Sequence, residues 1–499
     1  MKSLHSLLII VCFTLFALPL SAESSDSILV LDLNQTVRLA GDSSLSAFRA
    51  KNMYMASYWQ YRSFRAGRLP SLMFYSTPLR YNRDITRRYD SQQNIDVYRR
   101  QQSLYTYGNL SAQQNFDLTG GTFFIDTELG YIHNMGEMGQ RQFNSVPIRI
   151  GYRQELLGFN PFRWEKKIEP LKFEKAKKQL IYDLEETSQV AAQYFFAYAM
   201  AQTEYELAQE NLNNAERLYN IGVEKQKIAS IGQADLSTLK LDLINAGNSL
   251  KNAEIALRRA SFSLTSYLHI DSKRVIAVKL PDFPPALDVT VEEALQLARQ
   301  NNPRYLESKQ KLLESEQILD QRRKESMFNL GINTSVGFNQ VAGAFRDVYR
   351  DPLRQDIVSI TLTIPLLDWG VRKGKYNMAK NNLNITRLTA RQEEIKLEEE
   401  VIMTVGNFSV RQQMILSARE AMQLAKTAYE QTEERFIIGK ADINSITLSA
   451  NRRREAQRNY ISSLQNYWES YYKLRKLTLY DFALDRPIDV DFSSVNEQR

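Results

Sequence analysis

Cysteine is almost absent from this 499-residue chain, and the single one, Cys12, falls inside an N-terminal apolar run. Lys2, the apolar stretch from Leu7 to Leu20 and the small residues Ser21-Ala22 read as a secretory signal peptide over 1–22, which stands outside the fold. No small-residue lipobox precedes Cys12, which speaks against a lipid-anchored N-terminus. Without the signal the chain holds no thiol, and disulfides, thiolate catalysis and cysteine-ligated metals are excluded. Histidine is nearly as scarce. Only His133 and His269 lie beyond the signal, neither with a second ligand or a nucleophile at motif spacing, so both read as structural. No phosphate loop, dinucleotide fingerprint, HExxH or nucleophile elbow occurs, so no catalytic residue, metal or cofactor is expected. Long apolar runs are missing too. Beyond residue 22 none reaches the ~20 residues a spanning helix needs, and the mean hydropathy is −0.41. An exported chain of this kind is periplasmic, secreted or an outer-membrane β-barrel. The net charge of +7 becomes +6 once Lys2 is removed (7 − 1 = 6), with acids and bases interspersed, and leaves no nucleic-acid footprint.

What is present is a repeat. Leu31-Asp-Leu-Asn-Gln-Thr-Val-Arg-Leu-Ala40 returns as Val289-Thr-Val-Glu-Glu-Ala-Leu-Gln-Leu-Ala298, an offset of 258 residues. Each copy leads into a helical stretch, a patch of alternating strands and a very long helical stretch with one turn, so two equivalent units share one architecture. From Lys375 to Ile438 there are 64 residues with no proline and one glycine, Gly406. As one helix this stretch would reach roughly 96 Å. Leu388, Ile395 and Ile402 fall seven apart, with Val401, Val405 and Phe408 in the adjoining stripe, a coiled-coil pattern. Leu171 to Ile221 likewise contains neither proline nor glycine. Further helices follow at Gln233–Leu268 and Ala441–Thr478.

The strand segments exclude a simple rod. Leu330, Ile332, Thr334, Val336 and Phe338 alternate with Gly331, Asn333, Ser335, Gly337 and Asn339, and Val358, Ile360, Leu362 and Ile364 repeat the pattern. In the first half Phe123, Ile125, Leu129 and Tyr131 alternate with Phe124, Asp126, Glu128 and Gly130, with Val146, Ile148, Ile150 and Tyr152 as the expected partner strand. Such alternation over about ten residues is the mark of a strand between lipid and water. Four strands cannot close a barrel, and an open edge cannot sit in lipid. Several chains must therefore share one barrel, as a dimer with eight strands or a trimer with twelve.

Ile364-Pro-Leu-Leu-Asp-Trp-Gly-Val-Arg-Lys373 resembles the strand-to-helix junction of TolC-type outer-membrane efflux channels, as does Tyr152-Arg-Gln-Glu-Leu-Leu-Gly-Phe-Asn-Pro161. The Val289–Ala298 run with Asn301-Asn-Pro303 resembles the family's repeat opening. Arg435-Phe-Ile-Ile-Gly-Lys-Ala-Asp-Ile443 resembles its periplasmic turn, echoed by Ile231-Gly-Gln-Ala-Asp-Leu236. The resemblance implies an α+β membrane protein of two structural repeats, with four transmembrane strands and long coiled helices per chain. Three chains would form a twelve-stranded β-barrel on a twelve-helix α-barrel, crossing the outer membrane into the periplasm. It implies an exit duct for efflux or type I secretion, with a periplasmic adaptor, an inner-membrane transporter and outer-membrane lipid as partners. Its tip would be built around Gly232, Asp235, Phe436, Gly439, Lys440 and Asp442. Gly232 and Gly439 would allow the tight turns, and Phe436 and Lys440 would lie near the constriction. Tyr131 and Tyr152 would belong to the aromatic girdles, while Phe159, Phe162, Trp164 and Trp369 fit a girdle or packing at the strand–helix junction. The alternative is a periplasmic coiled-coil scaffold without a pore.

The expected layout is a first repeat over 23–288 and a second over 289–480, followed by a tail over 481–499. The first has strands at about 70–157, long helices at about 165–268 and a proline-containing linker at 270–288; the second has strands at about 329–366 and helices at about 370–478. Two departures stand out. The first-half strand region is 48 residues longer than its counterpart (258 − 210 = 48), with extra alternating segments near Leu72–Tyr81 and Leu104–Phe116 and a turn at Thr119-Gly-Gly121. The family's acidic ring positions fall on Ser445 and Leu448, so Asp235 and Asp442 read as helix caps in preference to a selectivity ring. Arg452-Arg-Arg454 reads as a solvated face, and the polar tail either wraps the helices or is disordered.

Overall fold

The computed structural model describes residues 29–497 except 136–138, 229–230, 272–273, 285 and 439, so the signal peptide, Cys12, Pro285 and Gly439 lie outside the described residues. The described residues form long helices, a six-stranded sheet and two short two-stranded pairings. The two repeats yield helices of equal length: α3 (Pro161–Lys227) and α7 (Val371–Ile437) have 67 residues each. The helices that follow them, α4 (Gln233–Leu268) and α8 (Ile443–Thr478), have 36 each. At about 1.5 Å per residue, α3 and α7 are each about 100 Å long. Among the described residues no helix is long and apolar enough to cross a membrane.

The chain forms two compact units, each drawing on both repeats. One unit comprises residues up to 47, 187–286 and 410–469. Here β1 (Leu29–Leu31) pairs in parallel with β6 (Ile276–Val278). Helix α1 (Leu33–Ser43) starts on a capping box: Gln35 N donates to the Asp32 carboxylate at 2.7 Å, and Asp32 N donates to the Gln35 side chain at 3.2 Å. The other unit comprises 48–186, 287–409 and 470–499. Its helices are α2 (Leu45–Ala66, from Phe48 onward), α5 (Val291–Asn301), α6 (Pro303–Glu325) and the first parts of α3 and α7. Ala294, Ala298, Leu397, Val401, Val405, Leu474 and Leu477 form a buried cluster there. Small residues at Ala294 and Ala298 let α5 approach closely.

The described part of the tail, to residue 497, forms regular elements. β9 (Tyr480–Asp481) pairs with β10 (Arg486–Pro487), and in α9 (Phe492–Glu497) Val495 is buried against Ala50, Tyr54 and Leu180. A buried ionic cluster ties it down. Arg475 donates to both Glu185 oxygens at 2.9 and 2.8 Å and to Asp481 at 2.7 Å, while the Tyr471 hydroxyl donates to Asp481 at 2.6 Å. Burial works against the Arg475 charge, but Glu185 and Asp481 more than offset it and raise its pKa. Burial likewise pushes the Tyr467 phenol up to about 12.

The sheet corrects the expected strand number. It has six strands, in the order β2-β3-β4-β5-β7-β8. The four expected from alternation are β4 (Thr122–Met135), β5 (Gln140–Glu155), β7 (Asn329–Ala342) and β8 (Leu353–Thr363). The 48-residue excess supplies β2 (Ser71–Asp90) and β3 (Ile95–Asn115). Thr119-Gly-Gly121 forms the turn between β3 and β4, with Gly120 at φ +78°, a left-handed conformation that glycine adopts freely. Bulges fall between Thr77 and Arg80, Asp126 and Glu128, and Ser145 and Arg149. The last re-phases β5: Ser145 and Phe143, instead of Val146 and Asn144, continue the face that carries Ile150.

Candidate functional site

The sheet presents two chemically different faces. Because side chains alternate along a strand and registers align residues across it, Leu72, Ala112, Ile125, Ile150, Val336 and Asp356 form one row across six strands. Phe74, Leu110, Ile332, Ile360 and Leu362 share that face, and its large apolar side chains are exposed: Phe74 69%, Val336 52%, Ile360 65%. The opposite row reads Met73, Ser111, Asp126, Arg149, Gly337 and Gln355. There Asp126 is buried and ion-paired with Arg149 at 2.6 Å. An exposed apolar face backed by a polar, ion-paired face is the arrangement of a barrel wall between lipid and water.

Tyr131 and Tyr152 bound the apolar face. Tyr131 packs against Phe143 with centroids 4.9 Å apart and the rings tilted by 44°. The Tyr152 hydroxyl donates to Gln154 at 2.6 Å and lies 2.8 Å from the Thr119 hydroxyl. Tyr152 pairs with Phe123, so eight residues of β4 separate the two tyrosine levels. That is about 27 Å along the strand, or about 20 Å along the axis of a barrel with ~40° tilt, close to the ~25 Å apolar band of an outer-membrane barrel. Trp369 is fully exposed at the strand–helix junction, and the Trp164 indole donates to Asp320 at 2.9 Å.

The helical tips hold the other expected residues. Asp442 caps α8, accepting from Ser445 N at 2.7 Å. Hydrogen bonds from Ser445, side chain first and backbone second, hold its carboxyl below the usual aspartate range. Asp235, on the first turn of α4, reaches back to accept from Gly232 N at 3.2 Å. Both carboxylates thus satisfy backbone donors that a helix start leaves open. Gly232 sits at φ −80°, ψ 165°, extended backbone open to any residue, and a Cβ there would make only ordinary contact with Asp235. The backbone at Gly232 therefore does not require glycine. Lys440 N closes α7 onto Arg435 O at 2.8 Å, and the residue is exposed.

Phe436 is 9% exposed and packed with Tyr429, Ile446 and Leu218, so it belongs to the core of the tip. Lys225 stands 5.7 Å from its ring. Arg453, expected to be solvated, forks onto Glu210 at 3.2 and 2.7 Å and lies 4.2 Å over the Tyr429 ring. Asn214 donates to the Tyr429 hydroxyl at 3.0 Å, and Arg217 and Arg458 pair with Glu433 and Glu204. These links bind α3 to α7 and α8. Within the first hairpin Gly222 lets α3 approach α4: a Cβ there would lie 2.5 Å from Leu239. None of Tyr429, Glu210 or Gly222 was marked by a sequence motif; charge complementarity between distant helices becomes visible only once they are packed.

Among the described residues no group of His, Cys, Asp or Glu is placed to hold a metal ion. His269 is the left-handed C-cap of α4, and His133 lies on β4.

Residues 294–478 match the sequence model of the family described as outer membrane efflux protein. No curated protein matches the chain. The fold is similar to that of a membrane protein from Pseudomonas aeruginosa, with a TM-score of 0.64 at 14% identity over 90% of this chain and 91% of that one. It is similar to the CmeC outer membrane channel of Campylobacter jejuni, with a TM-score of 0.63 at 16% identity over 93% and 88% of the two chains. The outer membrane protein VceC of Vibrio cholerae gives 0.58 at 13% identity over 92% and 97%. At such identities the likeness concerns the fold, which spans both repeats, while the family's sequence model covers most of the second. The second repeat thus resembles the outer membrane efflux protein family in sequence, and the whole chain shares the fold of outer membrane channels.

Proposed function

We propose that this chain is the outer-membrane exit duct of a tripartite efflux or type I secretion system. A homotrimer would form one barrel in the outer membrane and a twelve-column helical tunnel in the periplasm, receiving substrate from an inner-membrane transporter through a periplasmic adaptor. The duct is passive: its lumen supplies a path, and the transporter supplies the work.

The observation that carries this reading is the apolar face crossing all six strands, which has no place in water and an obvious one in lipid. Self-association is supported by a second exposed stripe. Met378, Ile385, Leu388, Ile395 and Ile402 lie on α7 at spacings of seven, three, seven and seven, and all are exposed in the single chain, whereas Val401 and Val405 are buried. A heptad seam of this kind calls for a partner helix, and another copy of the chain offers one. Gly232, Asp235, Phe436, Gly439, Lys440 and Asp442 then mark the tip where the adaptor docks. Arg453, Tyr429 and Glu210 form the latch that keeps the hairpins together in the closed state, and Tyr131 and Tyr152 mark the membrane interfaces.

The test uses the absence of thiols from the mature chain. A Lys440→Cys variant is treated in living cells with a thiol-to-amine crosslinker, and the captured proteins are identified by mass spectrometry. Capture of a periplasmic adaptor is expected. Recovery of only the chain itself or unrelated periplasmic proteins would overturn the docking assignment.

A further inference from the structure

We infer that each copy contributes six strands to the barrel instead of four, and that the ring closes by pairing β2 of one copy with β8 of the next. This rests on the channel reading above, but not on its copy number.

The free edges decide the matter. β3 pairs with β4 from Gln102↔Met135 to Asn115↔Thr122, the whole length of β4. No edge of β4 remains for a neighbouring chain. Among the described residues the free edges of the sheet belong to β2 and β8. An open edge in hydrocarbon leaves backbone donors and acceptors unpaired at several kcal/mol each, so both must be covered. The six strands run alternately up and down through antiparallel pairs. β2 and β8 therefore run in opposite directions, and copies joined edge to edge continue the antiparallel ladder without a break. A second copy of this chain is the occupant that fits both edges at once, since each copy carries one of each, and such head-to-tail contacts close into a ring.

The side chains of the β2–β3 hairpin carry the same belt as the other four strands. Leu72, Phe74 and Leu110 continue the exposed apolar face, with the Phe74 ring lying over Gly108, where a Cβ would be 3.2 Å away. After the bulge at Thr77–Arg80 the face resumes at Tyr81, paired with Leu104, which pairs in turn with His133. Tyr81 is thus one step beyond the level of Tyr131. Past it the same face carries Arg83, Ile85 and Arg87, so charge interrupts the apolar run, as expected where a strand leaves the apolar band. Pro78 falls within the bulge, where the β2–β3 ladder is interrupted and its missing N–H costs no bond to β3. Had the hairpin stood outside the barrel in water, this band would have no function.

The consequence is a wider barrel. With ~4.8 Å between strands and ~40° tilt, twelve strands give a backbone diameter of about 24 Å and eighteen about 36 Å. A trimer of this chain would have eighteen.

The direct test is an electron cryomicroscopy map of the full-length protein in lipid nanodiscs, in which strands per copy are counted. Six per copy is expected, whether the ring has three copies or another number; a ring of other than three would revise the trimer and leave the inference standing. Four per copy, with β2–β3 outside the wall, would overturn it. A second measurement needs no map. One cysteine at Phe74 is combined in turn with one at Val358, Ile360 or Leu362, and a parallel series starts from Ile125 on β4. Chain-to-chain cross-links are expected from the Phe74 series alone. Cross-links from the Ile125 series would place β4 at the joint and overturn the six-stranded closure.

Discussion

Removing the Arg453 side chain should loosen the closed tip, and the size of the effect follows from its contacts. The guanidinium makes a forked pair with Glu210 at 3.2 and 2.7 Å, with the two side chains 19% and 49% exposed. Partly exposed pairs contribute about 0.2–1 kcal/mol, and a forked geometry belongs at the upper end. The Tyr429 ring, 4.2 Å away, adds about 0.5–1 kcal/mol through cation–π attraction. Arg453→Ala should thus cost about 1.5–2 kcal/mol of closed-state stability per chain, a shift of roughly 10- to 30-fold toward the open tip at 1.4 kcal/mol per decade. The assay is the open fraction of single channels in planar lipid bilayers. Arg453→Lys should recover the charge but not the fork or the flat stacking. The double variant with Glu210→Ala should show a coupling of about 1 kcal/mol, and raising the salt should open the parent channel more than the variant. An unchanged open fraction, or strictly additive effects of the two substitutions, would refute the latch.

Phe436→Ala removes a buried ring from the tip cluster and should cost about 3–5 kcal/mol locally, read as proteolytic cleavage near Ile438 at lower protease concentration. Gly232→Ala should change thermal stability by less than about 0.5 kcal/mol, whereas Gly222→Val must displace Leu239 and should lower the unfolding midpoint while leaving expression measurable. Arg475→Met leaves Glu185 and Asp481 facing each other without their cation and should cost about 3–5 kcal/mol, seen as a lower midpoint of thermal unfolding. Because the Asp442 carboxyl is held below its unfolded value of 3.8, its cap is fully effective above that pH and is lost as pH falls through the lower folded value. Helix protection by hydrogen exchange at 443–446 should therefore be constant from pH 5 to 7 and fall below about pH 4.

Local signals made the helices legible. Long stretches without proline or glycine and a heptad run leave few alternatives to α7, and Asp442 followed by a helical pattern is a readable cap. The strands of the second repeat were equally plain, since β7 and β8 alternate without a bulge. The first repeat was harder for a physical reason. Each bulge adds a residue and reverses the phase of alternation, so Ser145 and Phe143 replaced the expected Val146 on the outer face. Tyr81, Arg83 and Arg87 on one face of β2 blur the apolar signal just where the strand leaves the membrane band. At the tip, residue type misled. Gly232 suggests a turn that needs glycine and Phe436 a ring near the constriction, yet the backbone at Gly232 is extended and the Phe436 ring is packed among its own chain's helices. Arg453 sits in a run of three arginines, and only the packing of α3 beside α8 distinguishes it from its neighbours.

A conduit through the outer membrane must carry ion current. The purified full-length chain, added to a planar lipid bilayer, should give discrete, long-lived conductance steps of uniform size. A folded, oligomeric protein that leaves the bilayer electrically silent at every voltage would contradict the account.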